Sequence, residues 1–293
     1  TGGRDGLHDK SEHPNHFADM DKVDSHGQNL LEICQDHDNV DPARWMAYYN
    51  DPQVKEDLHH MGLLPFRVAQ FFKIMVKAAK EGDAPTFLAA AGIVSHYVGD
   101  SCQPLHISFL HDGDPANTIT RTVHHRNGTT SEETEPVAMG VHSDYEDKMI
   151  DQNTDEILLT LQASVQPRHD PFLKTPHDAA VATVELMRRT FNTLAPRTIV
   201  DKYTAEIAAG TKKKSQKMAS ALWVAFKEPT LKVLTDGGVT LAHLWDSAWH
   251  EASMELGSEP NVSGVVGPEL LMGLYRNPAF APSCTIDKIH NEI

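Results

Sequence analysis

Cysteine and long apolar runs are scarce in this chain. Its three cysteines, Cys34, Cys102 and Cys284, lie far apart without CxxC spacing, so the sequence supports neither a zinc ribbon nor a disulfide scaffold. One disulfide with one free thiol stays open, and we expect Cys102 to be a small buried residue. No apolar run approaches the roughly 18 residues that span a bilayer, so no transmembrane segment is expected.

An amino-terminal signal segment is also missing, because no charged stretch followed by an apolar one opens the chain. The first residue is Thr1 and not Met. We therefore interpret the sequence as a processed or trimmed product.

Basic residues are outnumbered, with 26 lysines and arginines against 41 acidic residues and a formal net charge of -15. Duplex nucleic acid is bound largely through Lys and Arg contacts with phosphates, so no stable duplex DNA partner is expected. The deficit does not exclude a phosphate substrate, because bound zinc ions are strong local positive charges and need carboxylates to hold them.

Helical periodicity dominates what is present. Apolar residues over 66–80 recur at spacings of three and four, and Pro65 stands near the start of this predicted helix. The next helix is predicted from about Pro85 to Asp100, and others over 178–194, 201–209, 215–226 and 240–256. No alternating apolar-polar segment bounded by hairpin turns is found, which predicts an all-α fold with residues 1–293 as a single domain. The predicted buried stripe of the second helix is Phe87, Leu88, Ala91, Val94 and Val98.

Residues 112–140 form a long polar segment. They are rich in Asp, Asn, Thr, Gly and Glu, and the polarity has no clear period. Long irregular segments in compact domains are usually functional. We predict a flap or a mobile loop.

The most informative stretch is His96-Tyr-Val-Gly-Asp100-Ser-Cys-Gln-Pro-Leu-His106, which is followed by His142-Ser-Asp-Tyr-Glu146. Residues four apart on a helix share a face, so each His-x3-acid pair can reach one ion. The proline at position 104 disfavours helical geometry before it, so the chain should turn there and could return His106 to the same place.

Spacing alone does not establish a metal site. Four His-x3-acid pairs occur, whereas 18 histidines and 41 acidic residues among 293 produce about two or three by accident, so a single pair is no better than chance. The ligand types are more informative, because imidazole and carboxylate are the usual ligands where zinc keeps an open position for water. The expectation is a catalytic site.

The order of these motifs resembles the zinc-dependent superfamily that joins single-strand-specific nucleases to bacterial phospholipases C. The resemblance rests on Gly62-Leu-Leu-Pro-Phe, the helix after it, the block over 96–106 and Gly140-Val-His-Ser-x-x-Glu146, and it runs over 15–146. Leu241-Ala-His-Leu-Trp245-Asp-Ser-Ala-Trp249 is similar to the closing helix of that family. The resemblance implies a multi-helix phospholipase C/nuclease-like fold with long loops, and secretion or periplasmic export. We expect a monomer.

The resemblance also implies two or three Zn²⁺ ions. His16, His96 and Asp100 would bind one zinc, with Asp100 also bridging to a neighbour and serving as the catalytic residue that orients water. The ligands of another zinc would be His106, His142 and Glu146.

The amino-terminal part of the ligand set departs from the family pattern. An upstream acidic residue should complete the first zinc, and the candidates are Asp5 and Asp9, with Glu12 nearby. The family's first residue is a tryptophan that binds a third zinc with an early histidine. Here Thr1 stands first, so either residues are missing or the third site is absent or rebuilt, with His8 as a candidate.

The chemistry implied is hydrolysis of a phosphate ester by a water that bridges two metal ions, without a side-chain nucleophile. The Gly-Asp-x-x-Gln-Pro-Leu-His motif favours a phosphodiesterase on single-stranded nucleic acid, with 3′-nucleotidase activity. Glu146 favours the alternative, phospholipase C action on a phospholipid head group, and a third interpretation is an inactive zinc-binding protein. Candidates for stacking on a substrate base are Tyr97, Phe109 and Tyr145.

Overall fold

Helices make up most of the computed structural model, which describes residues 10–55, 61–124, 129–166, 170–261, 266–277 and 279–293. The prediction of a largely helical chain is confirmed, while the specific fold and the single-domain interpretation stay predictions. Within these ranges, no helix is both long enough and apolar enough to cross a membrane. The α-helices are α1 (Leu30–Ile33), α2 (Pro42–Tyr49), α3 (Leu64–Glu81), α4 (Ala84–Ser101), α5 (Val141–Ser143), α6 (Ile150–Gln152), α7 (Thr154–Ser164), α8 (Pro176–Thr193), α9 (Pro196–Ala208), α10 (Gln216–Leu256), α11 (Pro268–Tyr275) and α12 (Ile289–Glu292).

The remaining regular elements are short turns of other helix types and two strands. Three 3-10 segments are Lys10–His16, His37–Asn39 and Pro104–Ile107, and a π-helical segment, Asp144–Met149, joins α5 to α6. The strands are β1 (Asp114–His124) and β2 (Thr130–Val137).

The helices α3 and α4 form the central pair, and both were predicted close to their observed bounds. Gly82 ends α3 with a φ of 69°, a left-handed conformation that glycine adopts at low cost. Asp83 then caps α4, because its carboxylate accepts the main-chain N–H of Thr86 at 3.1 Å. The prediction that Leu88 is buried is wrong: it is 49% exposed, since the buried stripe of α4 passes beside its position.

Helix α10 corrects a second prediction. Two helices were predicted over 215–226 and 240–256, but one 41-residue helix spans both and contains Pro229. Proline and paired glycines weaken a helix, yet the intervening turns bury Leu231 and Val233 in the core, and this packing sustains the helix. A Cβ atom on Gly237 would lie 2.7 Å from Cys102 Sγ, so the glycine permits α10 to approach α4 closely.

The segment over 112–140 contains an antiparallel hairpin, so the expectation of irregular structure without strands is wrong. Strands β1 and β2 pair from Thr118 opposite Pro136 to His124 opposite Thr130, with an irregularity before Thr118. Its residues are mostly exposed, and the sequence therefore lacks the apolar-polar alternation that a half-buried strand shows. The threonine-rich composition is the signal that favours strands here.

A main-chain pairing next to α4 joins two distant segments. The N–H groups of Ala18 and Met20 donate to the carbonyls of His106 and Ile107 at 2.8 and 3.0 Å. Gly62 lies against the other side of the same segment, since a Cβ atom there would be 2.4 Å from Ala18 Cα and from the Phe17 carbonyl oxygen. The backbone of residues 17–20 is thus held between residues 106–107 and Gly62.

We predict that Gly62→Ala lowers the free energy of unfolding by about 1–3 kcal/mol, because the new methyl group meets main chain that cannot rotate away. The matched control is Gly92→Ala inside α4, where an added Cβ has no heavy atom within 4 Å. That change should be neutral or stabilising by about 0.5–1 kcal/mol. Urea denaturation measures both, and equal stabilities for the two variants would contradict the close approach.

Candidate metal centre

The first cluster of candidate ligands consists of His16, His96 and Asp100. His16 ends the 3-10 segment Lys10–His16, while His96 and Asp100 lie one turn apart near the end of α4. His16 Nδ1 lies 3.0 Å from Asp100 Oδ2 and 3.0 Å from His96 Nε2, and His96 Nε2 lies 3.4 Å from the same carboxylate oxygen. Three donor atoms from two segments therefore converge, and we call them the first group.

The second group consists of His106, His142 and Glu146. His106 Nε2 lies 2.9 Å from His142 Nε2 and 3.2 Å from Glu146 Oε2, and the latter two atoms are 2.5 Å apart. Gln103 Nε2 donates to the same Glu146 oxygen at 3.2 Å. The turn predicted at Pro104 is the 3-10 segment Pro104–Ile107, and it delivers His106 to this group.

A hydrogen bond at Nδ1, the ring nitrogen that faces away from His142 and Glu146, orients the ring of His106. His106 Nδ1 donates to the main-chain carbonyl of His16 at 2.8 Å, because a carbonyl oxygen can only accept. In the neutral ring this leaves Nε2 unprotonated and facing His142 and Glu146, as a metal-binding imidazole requires. Asp100 Oδ1 lies 3.5 Å from His106 Nδ1, so the carboxylate contacts both groups.

Hydrogen bonds to Asp112 hold the start of the helical turn that carries His142 and Glu146. Gly140 precedes α5 with a φ of 97°, and Asp112 Oδ1 accepts the N–H groups of Gly140 and His142 at 2.8 and 3.3 Å. Glu146 itself belongs to the π-helical segment, a rare helix type that is frequent at functional sites.

Asp144 anchors this turn to the rest of the fold. The side chain is fully buried, and its Oδ2 atom accepts the Tyr203 hydroxyl at 2.7 Å and the Lys214 N–H at 3.0 Å. Tyr203 belongs to α9, so the anchor joins the ligand-bearing turn to a different helix.

His111 is a neighbour of the second group that the sequence did not indicate. Its ring centroid lies 4.2 Å from that of His142 and 5.8 Å from that of His106. Burial, together with the charges that these two rings can carry, lowers the pKa of His111 to about 3. No acidic residue stands four positions after His111, so spacing gave no signal for it.

Electrostatics make both groups suitable for a cation. Burial acts to raise the pKa of Glu146, but hydrogen bonds with His106 and His142 hold it well below its usual range, so Glu146 is ionised. Burial lowers the pKa of His96, which favours the neutral ring that binds metal.

The donor sets fit a metal ion that prefers nitrogen and oxygen ligands. Each group offers two imidazole nitrogens and one carboxylate oxygen, all within 4.8 Å of one another. Ligand atoms about 2.0–2.2 Å from a tetrahedral ion stand roughly 3.3–3.6 Å apart. The observed separations of 2.9–3.4 Å would therefore widen by roughly a few tenths of an ångström on binding, and the 2.5 Å between His142 and Glu146 by about 1 Å. The groups could therefore hold metal, and the identity of the ion as Zn²⁺ stays a prediction.

Other predicted site residues lie elsewhere. Asp5, His8 and Asp9 fall outside the described residues, so a third ion and a fourth ligand of the first group stay predictions. Glu12, the further acidic residue near these candidates, accepts from Tyr97 and Arg67 and does not point into the first group.

The three aromatic candidates for substrate stacking present little free ring surface. Tyr97 is 4% exposed and donates to Glu12, while Tyr145 is 2% exposed with its hydroxyl hydrogen-bonded to Thr230. Phe109 is partly buried against a hydrophobic cluster. Cys102, predicted as a small buried residue, is indeed a buried free thiol.

Taken together, the observations define a helical protein with two adjacent histidine-carboxylate groups. No family model matches the chain, and no solved structure matches it. A protein of Bradyrhizobium tropiciagri named "Probable serine protease" is 36% identical over 316 residues, and the match includes all of this chain. The chain spans only 39% of that protein's length.

This comparison corrects the predicted function. The relative's name refers to a protease, so the predictions of a nuclease or phosphodiesterase, with phospholipase C as the alternative, are wrong. The substrates predicted along with these activities, single-stranded nucleic acid and phospholipid head groups, have no support from this relative. The geometry of the two groups does not depend on that interpretation.

We predict that metal-free protein binds at least two Zn²⁺ ions per chain, and that His96→Ala and Glu146→Ala each bind one ion fewer than the wild-type chain. The reason is that each variant removes a donor from only one of the two groups. The matched control is His37→Ala, since His37 faces Glu185 at 3.2 Å on the surface but belongs to neither three-donor group. Equilibrium dialysis with metal analysis measures the stoichiometry; the wild-type stoichiometry in either ligand variant would contradict the assignment.

Proposed function

We propose that this chain is a metal-dependent hydrolase domain and that its substrate is a peptide bond. The convergence of six donor side chains in two adjacent groups carries the first part of the proposal. The second part is supported by the printed name of the Bradyrhizobium tropiciagri relative, a probable serine protease. Pairs of metal ions also occur in aminopeptidases, so this class of site is compatible with peptide hydrolysis.

Asp100 is the residue that connects the two groups in this proposal. Ions bound there would polarise the substrate carbonyl and lower the pKa of a water molecule. Asp100 Oδ2 faces His16 and His96, and Oδ1 faces His106, so this carboxylate is placed to orient the attacking water and accept its proton. His106 and Gln103 keep Glu146 in place on the other side.

A serine nucleophile receives no support from the hydroxyl contacts of the described serines. Ser108 Oγ donates to Asp21, while Ser101 and Ser143 donate to main-chain carbonyls. Hydrolysis by a serine nucleophile requires a base, most often histidine, within hydrogen-bond reach of the serine hydroxyl. Among the serine hydroxyls whose hydrogen bonds are described, none contacts a histidine ring.

The resemblance to the zinc-dependent superfamily is retained as a proposal for the metal-binding segments alone. It supports zinc as the ion and His16, His96, Asp100, His106, His142 and Glu146 as the ligands. The proposal for the substrate rests on the relative and not on that resemblance.

The test is peptide cleavage by the purified chain, measured with fluorescent casein. Activity should disappear after chelation, return with Zn²⁺, and persist after treatment with a fluorophosphonate, which modifies activated serines. Asp100→Asn should lower turnover by at least about 100-fold, the usual contribution of a positioned acid or base, while His37→Ala should keep it.

Two outcomes would overturn the proposal. Loss of activity with the fluorophosphonate but not with the chelator would assign a serine mechanism. Full zinc binding without cleavage of casein or of a set of short peptides would refute the peptide substrate.

A further inference from the structure

A buried polar network lies directly behind the first group. Arg67 on α3 is 4% exposed, and its guanidinium contacts Glu12 at 3.1–3.2 Å and the Tyr97 hydroxyl at 3.2 Å. Tyr97 also donates its hydroxyl to Glu12. A buried charge needs a partner, so Glu12 and Arg67 hold each other in place.

This network borders the metal-binding rings. Tyr97 follows His96 in α4, and its ring centroid lies 5.2 Å from that of His16 and 5.6 Å from that of His96. Glu12 belongs to the same 3-10 segment that ends at His16. A shift of Glu12 or Tyr97 would therefore move His16 or open space beside it.

The segment 281–284, near the end of this chain, closes the network. Ser283 Oγ donates to Glu12 at 2.5 Å, and the Pro282 carbonyl accepts from Arg67 and from Gln70 at 2.8 and 2.9 Å. The buried Asn15 amide faces the main chain of Cys284; with its amide nitrogen towards the Cys284 carbonyl it donates at 3.0 Å, and its oxygen then accepts the Cys284 N–H at 3.3 Å. Glu12 and Asn15, both in the 3-10 segment that ends at His16, are thus bound to a part of the chain that is distant in sequence.

The second group lacks these contacts. Apart from His16 and Asp100 of the first group, its neighbours among the described residues include Gln103, Asp112 and His111, none of which belongs to the network. Among the described residues, the network reaches the second group only indirectly, through the His16 carbonyl, which accepts from His106. We propose that Glu12, Arg67 and Tyr97, held by segment 281–284, are positioning residues that set the metal affinity of the first group and affect that of the second much less. This inference rests on the proposed metal centre.

The experiment measures the two groups separately. Zn²⁺ is titrated into metal-free protein in a Glu146→Ala background, which reports the first group, and in a His96→Ala background, which reports the second. Glu12→Gln should weaken binding by about tenfold in the first background, the lower end of the effect of losing an outer partner of a metal ligand, because Glu12 acts on His16 through Tyr97 and not through a hydrogen bond to a ligand. In the second background the dissociation constant should rise far less.

Two further variants keep the test interpretable. Tyr97→Phe removes only the hydroxyl and leaves the Glu12–Arg67 ion pair, so it should fold and weaken the first group by about tenfold. The matched control is Glu156→Gln, which breaks the ion pair with Lys227; the described partners of Glu156 are Lys227 and Trp223 and include no ligand of either group, so neither affinity should change.

Each result has one meaning. Selective weakening of the first group, with unchanged circular dichroism of the metal-free protein, supports the inference. Unchanged affinity in Tyr97→Phe and Glu12→Gln, or equal weakening of both groups, overturns it. Failure of the wild-type chain to bind Zn²⁺ overturns the proposed function instead.

Discussion

The pairing of residues 18 and 20 with residues 106 and 107 is the constraint on which the candidate metal centre depends. It places the His16 carbonyl against His106 Nδ1, at 2.8 Å. That single hydrogen bond orients the His106 ring of the second group. It also holds His16, the ligand of the first group that is most distant in sequence from the other two. The close approach of Gly62 to Ala18 supports the pairing from the opposite side. Without this arrangement, His96 and Asp100 would form an ordinary surface pair one helical turn apart.

Local patterns predicted the parts of the fold whose signals lie within one segment. The apolar spacing of α3, the caps and the His96–Asp100 face of α4 are properties of neighbouring residues, so the sequence indicates them. Strands β1 and β2 were missed because both of their faces are largely exposed, which removes the alternation that periodicity detects. Helix α10 was divided because Pro229 weakens it locally, while the packing that preserves it involves distant helices.

The residues of the candidate site likewise fall into those that local sequence patterns indicate and those that depend on contacts across the fold. Spacing gave four His-x3-acid pairs, of which two belong to the groups. The turn expected at Pro104 indicated His106, and the resemblance added His16. The roles of His111 and Glu12 depend on contacts across the fold, with His142 in one case and with Arg67 and Ser283 in the other. Residues that act through tertiary contacts have no periodic signal, and a single sequence does not reveal them.

Two of the chain's many acidic residues belong to the two groups. Two neighbouring cations need several carboxylates and neutral imidazoles, and Asp100 and Glu146 supply the negative charge where the histidines converge. The name of the relative describes a protein of which this chain spans 39%. A metal-activated water agrees with the donor geometry of this part, whereas the described serine hydroxyls are engaged with carboxylates and main-chain groups.

The central claim is that both groups bind metal, and a crystal structure of zinc-loaded protein with anomalous data collected at the zinc edge tests it most directly. We predict two anomalous peaks, each about 2.0–2.2 Å from its ligands. One should be surrounded by His16, His96 and Asp100, and the other by His106, His142 and Glu146. The absence of either peak, or zinc bound only at other residues, would contradict the claim.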